Sequence, residues 1–188
     1  VRWLSAIPNS IWILVGLGLV LAVSALFGGL NDAEVEEESL PVVPAGEAIE
    51  TEQFTLVVES ARLADVAPDY SFEPEDGNTY LIVEAVLTNK STETNTTFAD
   101  VLQLDWIEEP VTSRTARTLD GSTAAQANPH LPVGVTWVWE VPEDDVAPGD
   151  TVRVTALAKS FMEDGDVTYG SYWFDPVPVA VVDLEVDG

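Results

Sequence analysis

Cysteine is absent from this 188-residue chain. No disulfide can staple the fold, no thiolate can act as a nucleophile, and no cysteine-based zinc site can form. A lipoprotein anchor is not expected either, because it needs a cysteine. Basic side chains are scarce, with 7 Lys and Arg against 33 Asp and Glu and a formal net charge of −26. A surface of that sign repels phosphate backbones and anionic lipid head groups, which excludes nucleic-acid binding and peripheral attachment to lipid. The same chemistry also arises as adaptation to salt. Histidine occurs once, as His130. A lone imidazole has no second His or Cys with which to bind a metal. No G-x-S-x-G or H-E-x-x-H spacing accompanies it, so His130 is expected on the surface. Helical periodicity is missing over any three turns outside one apolar run.

That run dominates the N-terminal end. Residues 3 to 31 carry no charge, and residues 11–30 are almost wholly apolar, from Ile11, Trp12 and Ile13 to Leu26, Phe27 and Leu30. At 1.5 Å per residue, about twenty helical residues cross the roughly 30 Å hydrocarbon core, and only a helix satisfies its own backbone there. The expectation is one transmembrane helix over 11–30, preceded by a short cytoplasmic segment, 1–10. Arg2 lies before the span, while Asp32, Glu34 and Glu36 to Glu38 follow it, so the bulk of the chain is expected outside the membrane. Val23-Ser24-Ala25 has the small-residue spacing of a signal-peptidase site. The apolar stretch continues past it, which favours retention. Gly16, Gly18, Ser24, Ala25, Gly28 and Gly29 offer small faces for close helix packing.

Residues 31–46 combine an acidic run with Pro41, Pro44 and Gly46, and read as a linker of at most about 50 Å reach. From residue 47 to 188 the period becomes two. The inward sets are Phe54, Leu56 and Val58; Leu81, Val83, Ala85 and Leu87; Leu102, Leu104 and Trp106; Val135, Trp137, Trp139 and Val141; Val152, Val154, Ala156 and Ala158; and Ala180, Val182, Leu184 and Val186. They alternate with residues such as Tyr80, Glu84, Thr136 and Arg153. Weaker strands are expected in 112–119 and 167–174. Turns are marked by Asp76-Gly77, Asp120-Gly121, Pro148-Gly149 and Asp164-Gly165. Strands without helices predict an all-β fold, a β-sandwich of 7–8 strands behind one N-terminal transmembrane helix. The Trp137/Trp139 pair is expected in its core.

Three segments carry a resemblance. They are Gly46 to Ile49 with the strand FTLVVESARLAD, then TYLIVEAVLTNKS, and then LPVGVTWVWEVPEDDVAPGDTVRVTAL. Together they resemble the immunoglobulin-like extracytoplasmic domains of bacterial envelope proteins, of the DUF4352 and telokin-like kind. The resemblance spans residues 46 to 186 and implies a non-catalytic binding or scaffolding domain at the cell surface. It brings no functional residues with it.

The acidic clusters Glu73 to Asn78, Glu143-Asp144-Asp145 and Glu163 to Asp166 supply oxygen atoms, but none has the spacing of an EF-hand loop. They are what an acidic composition produces by itself. No catalytic, cofactor-binding or metal residues are therefore assigned, and no cofactor is expected. Asn89-Lys90-Ser91 and Asn95-Thr96-Thr97 have the form of glycosylation sequons. The expected function is that of an accessory subunit in a bacterial envelope complex, respiratory or transport assemblies being concrete settings. Its partners would be integral membrane proteins, met through the helix and the sandwich surface, and a basic soluble protein. The rival reading is a free-standing surface sensor that binds an ion or ligand in its loops. A structural spacer is the third.

Overall fold

Alternation of apolar and polar residues gives each strand one face to bury, and two such faces must cover each other. The computed structural model describes residues 39–67, 73–104, 106, 114–117 (backbone only), 125–163 and 172–188. Residues 1–10, the apolar run 11–30 and the acidic part of the linker lie outside them. Among the described residues no helix is long and apolar enough to cross a membrane.

The strands are β1 (Ala48–Glu50), β2 (Phe54–Ala64), β3 (Asn78–Asn89), β4 (Leu102–Leu104), β5 (Arg114–Arg117), β6 (Pro132–Pro142), β7 (Thr151–Met162) and β8 (Tyr172–Asp187). They form a curled sheet in the order β4-β7-β8-β2-β3-β6-β5, with β1 added to β2. Neighbours run antiparallel except β2 and β8, which are parallel through Ala61↔Val186 and Arg62↔Asp187. A bulge at Glu59 lies between Val58 and Ser60. Before it β2 pairs with β1, and beyond it with β8. The extra residue also moves the buried phase from Val58 to Ala61, both nearly inaccessible to solvent.

The curl brings the inner faces of β4, β7 and β8 onto those of β2, β3 and β6. Phe54, Leu56, Leu81, Val83, Leu87, Val135, Trp137, Val154, Val182 and Leu184 share one core. Trp106 packs against it while only partly buried. A second, small cluster of Ala67, Tyr80, Ile82 and Val138 covers the opposite face of β3 and β6. Tyr80, read from alternation as an outward residue, is therefore buried, and Thr136, read the same way, is buried as well. β1 is an addition to the strands read from the sequence.

The linker boundary at residue 46 also shifts. Val43 N donates to Val181 O (2.8 Å) and Val181 N to Pro41 O (3.0 Å), so residues 41–43 are tied to β8. The compact unit accordingly begins at Leu40. The turn into β7 closes through Asp150 N to Ala147 O, with Gly149 at φ 89°, a conformation that Gly reaches at no steric cost.

Candidate functional site

β7 and β8 pair from Thr151↔Glu185 out to Met162↔Tyr172, with register shifts at Ala156/Leu157 and Ala158/Ser160. Their inner halves supply core residues, but their outer halves leave the sandwich. There the side chains become large and apolar on both faces. Phe161 stands opposite Trp173 with ring centroids 5.0 Å apart at 50°. On the alternate phase Tyr172 stacks against Phe174 at 5.8 Å and 59°, and its hydroxyl donates to Met162 Sδ at 3.5 Å. Phe161 is 45 % exposed and Tyr172 39 % exposed. Aromatic pairs of this geometry gain from edge and offset contacts, but exposed rings have not completed their burial. At the base of the hairpin, Lys159 Nζ reaches Asp100 Oδ2 at 2.7 Å and ties it to the 3₁₀ turn Ala99–Val101.

One face of this hairpin walls a groove of about 530 Å³, with Phe161 and Trp173 on one side and Glu52 and residues 90–93 on the other. The opposite wall is built by Asn89, which is fully buried. Its Nδ2 donates to Glu93 O (2.7 Å) and Ala127 O (2.8 Å), while its Oδ1 accepts from Ser91 N (2.9 Å) and Ser91 Oγ (2.7 Å). Lys90 turns out of the groove's chemistry toward Glu50 Oε2 (3.2 Å) and Thr51 O (2.7 Å). That hydrogen bond, then one from Thr55, holds the Glu50 carboxyl below its ordinary value. The carboxylates of Glu52 and Glu93 sit on exposed residues. A second concavity of about 370 Å³ lies between Trp106, Asp145, Val146 and Arg153. Its Arg153 is already engaged by Asp183 in a forked pair, Nε–Oδ1 2.7 Å and Nη2–Oδ2 2.9 Å.

The residues singled out from sequence fall elsewhere. His130 is exposed in a loop at φ 59°, and its amide donates to Asn89 O. Glu143, Asp144 and Asp145 form an exposed 3₁₀ turn. In the 73–78 cluster, Glu140 Oε1 accepts from Glu75 N and Asn78 Nδ2, which shapes the turn into β3. Asp164 and Asp166 lie outside the described residues. Among the described residues no three His, Asp or Glu side chains gather as a metal set. The Asn89 sequon has its amide nitrogen committed to two carbonyls in the interior, so it presents no acceptor to a glycosylating enzyme. The aromatic hairpin was missed by sequence reasoning. Its signal is Phe161-Met162 and Tyr172-Trp173-Phe174 on either side of an acidic stretch of sequence, where consecutive apolar residues break the alternation.

Every Lys or Arg whose side chain is described contacts a carboxylate: Arg62 with Glu84, Lys90 with Glu50, Arg153 with Asp183 and Lys159 with Asp100. The three solvent-exposed pairs contribute little, Lys159 alone being largely buried, while the excess negative charge repels itself over the whole domain. Raising sodium chloride from about 0.05 to about 1 M shortens the screening length to roughly 3 Å. The thermal midpoint is expected to rise with it, and a falling midpoint would show that the ion pairs outweigh the repulsion. The pH dependence has two parts. Asp183 is held below its ordinary 3.8 by the hydrogen bond from Arg153, and Glu50 below its ordinary 4.5. Lowered carboxyl values stabilise above the unfolded-state values and are lost as pH falls through the folded ones. Calorimetry from pH 7 to 5 should thus leave both pairs intact, and their loss should begin only below those ordinary values.

No family model and no curated protein matches the chain. Among solved structures, an uncharacterized β-sandwich protein from Clostridium difficile 630 superposes with a TM-score of 0.54 at 15 % identity, over 82 % of this chain and 100 % of that one. A conserved hypothetical protein from Bacillus anthracis gives a TM-score of 0.34 at 12 % identity, over 72 % of this chain and 94 % of that one. The first establishes the β-sandwich architecture expected from the strand pattern.

Proposed function

We propose that the chain is a non-catalytic, single-pass membrane subunit of a larger bacterial envelope assembly. In this reading its extracytoplasmic sandwich, immunoglobulin-like and telokin-like in kind, presents the β7–β8 hairpin to a basic protein partner. The observation that carries it is the pair of half-exposed aromatic stacks, Phe161/Trp173 and Tyr172/Phe174, standing out from an otherwise acidic surface. Aromatic side chains clustered in the open are what a protein interface buries at its centre. The charge balance selects a cationic partner, because the described basic groups are already engaged by carboxylates. The apolar run 11–30 supports anchorage, and the charge asymmetry around it supports an external domain. The absence of any paired nucleophile, base or thiol in the sequence supports a binding rather than a chemical role.

Gentle detergent extraction of the tagged, full-length protein, followed by native electrophoresis and mass spectrometry, tests this reading. The protein is expected to migrate with a stoichiometric assembly. The double substitution Phe161→Ser with Tyr172→Ser is expected to release it while its melting temperature stays within a few degrees. Migration as a lone monomer at native abundance sinks the proposal.

A further inference from the structure

We infer that the groove between the hairpin and residues 90–93 receives an arginine side chain from a basic segment of the protein partner. The inference rests on the interaction-subunit reading and names the chemistry of its contact. Three observations converge on a planar organic cation. Trp173 and Phe161, their rings tilted 50° to each other, line one edge of a groove of about 530 Å³, which is roomy for one extended side chain and its backbone. Indole is the best of the aromatic faces for a cation, and guanidinium adds planar stacking that ammonium lacks. Opposite that wall stand the exposed residues Glu52 and Glu93, whose carboxylates can take the forked N–H donors of a guanidinium.

The third observation is what Lys90 does. It lines the same groove, yet its ammonium is held by Glu50 and by the carbonyl of Thr51, so its charge is balanced by a neighbour. The two groove carboxylates are left to set the local sign. The wall that carries Glu93 is also prearranged. Asn89 holds Glu93 O and the Ser91 amide and hydroxyl in place before any ligand arrives, so less ordering is left to be done on binding. The net charge of −26 adds attraction for any basic segment, but it cannot by itself choose arginine over lysine. The groove can.

The test is calorimetric titration of the full-length protein in detergent with three probes. They are an octapeptide of alternating arginine and serine, its lysine counterpart, and agmatine, a small free guanidinium. The arginine peptide is expected to bind about tenfold more tightly than the lysine peptide and far more tightly than agmatine. Trp173→Ala should weaken it by about tenfold. Thr92→Trp, which fills the groove from an exposed loop position, should abolish the preference for arginine and serves if the Trp173 variant unfolds. Glu52→Gln with Glu93→Gln should weaken binding and flatten its salt dependence, whereas Asp144→Asn with Asp145→Asn should change affinity less than about twofold. Equal binding of the two peptides, or equal loss from both acidic pairs, would mean a diffuse field and no groove recognition. Agmatine binding as tightly as the arginine peptide would make the groove a small-cation receptor and overturn the partner. A native assembly that survives Thr92→Trp sinks this inference alone, while a chain that runs as a monomer sinks the reading beneath it.

Discussion

Trp137→Ala is expected to lower the unfolding free energy of the sandwich by about 3–5 kcal/mol, the range for deleting a large core aromatic. The indole is fully buried on β6, a strand flanked by β3 and β5, and it belongs to the main core cluster. Phe98 meets it edge-on at a centroid distance of 6.4 Å and 63°. Its Nε1 donates to the Ala99 carbonyl at 3.1 Å. That bond joins the middle of the sheet to the turn on which Lys159 also anchors the hairpin. Domains of this size hold about 5–15 kcal/mol in total, so the loss should move a urea midpoint far toward zero. Trp137→Phe separates the two contributions. It keeps most of the apolar volume and removes the hydrogen bond, and should cost about 1–2 kcal/mol. If the phenylalanine variant is as damaged as the alanine variant, packing is not the main reason for tryptophan here.

Asn89→Ala is expected to be nearly as severe, at about 3 kcal/mol, for a polar reason. The side chain makes four hydrogen bonds inside the protein, and its truncation removes all four and leaves the Ser91 amide without its acceptor, while Glu93 O keeps the Ser91 hydroxyl and Ala127 O keeps the Asn95 amide. Asn89→Asp adds a diagnostic. It keeps the acceptor for Ser91 but turns the donor into an oxygen facing the carbonyls of Glu93 and Ala127. The new carboxylate should be costlier than alanine at pH 7. Because burial raises its value in the folded state, its penalty should shrink as pH falls and a proton restores a donor. Urea melts at pH 7 and pH 5 measure this directly. A penalty independent of pH would show that the loop does not depend on donation from residue 89. The same substitutions should loosen the groove wall, so stability and arginine binding should fall together.

Most of the core was legible because period two is a strong signal wherever one face is buried. Leu81, Val83, Ala85 and Leu87 point inward as the alternation requires, and so do Val135, Trp137, Trp139 and Val141. The pattern failed where the structure adds something that alternation does not encode. β1 is only three residues long, and the pairing of residues 41–43 with β8 joins positions nearly 140 apart in sequence. Tyr80 reads as solvent-facing because nothing local reveals that a second cluster covers that side of β3 and β6. The bulge at Glu59 changes the buried phase through backbone geometry alone.

The candidate site was harder to see for a related reason. Its wall residues come from Glu52, the 90–93 loop and the far end of the β7–β8 hairpin, which only the curled sheet brings together. The aromatic hairpin carries no alternation, since Phe161-Met162 and Tyr172-Trp173-Phe174 are apolar on both phases. Two-sided apolar character in a short hairpin end marks exposed apolar surface and not a strand of the core.

The measurement that bears most directly on the interaction role is photocrosslinking in native membranes. A benzophenone amino acid is placed at Phe161, with Val66 as a control that is also exposed, at 53 %. A single, stoichiometric crosslink is expected at position 161 to a partner with a basic segment, absent at position 66 and lost when Trp173→Ala is added. Equal labelling at both positions, or none at 161 while the protein is abundant and folded, would contradict it.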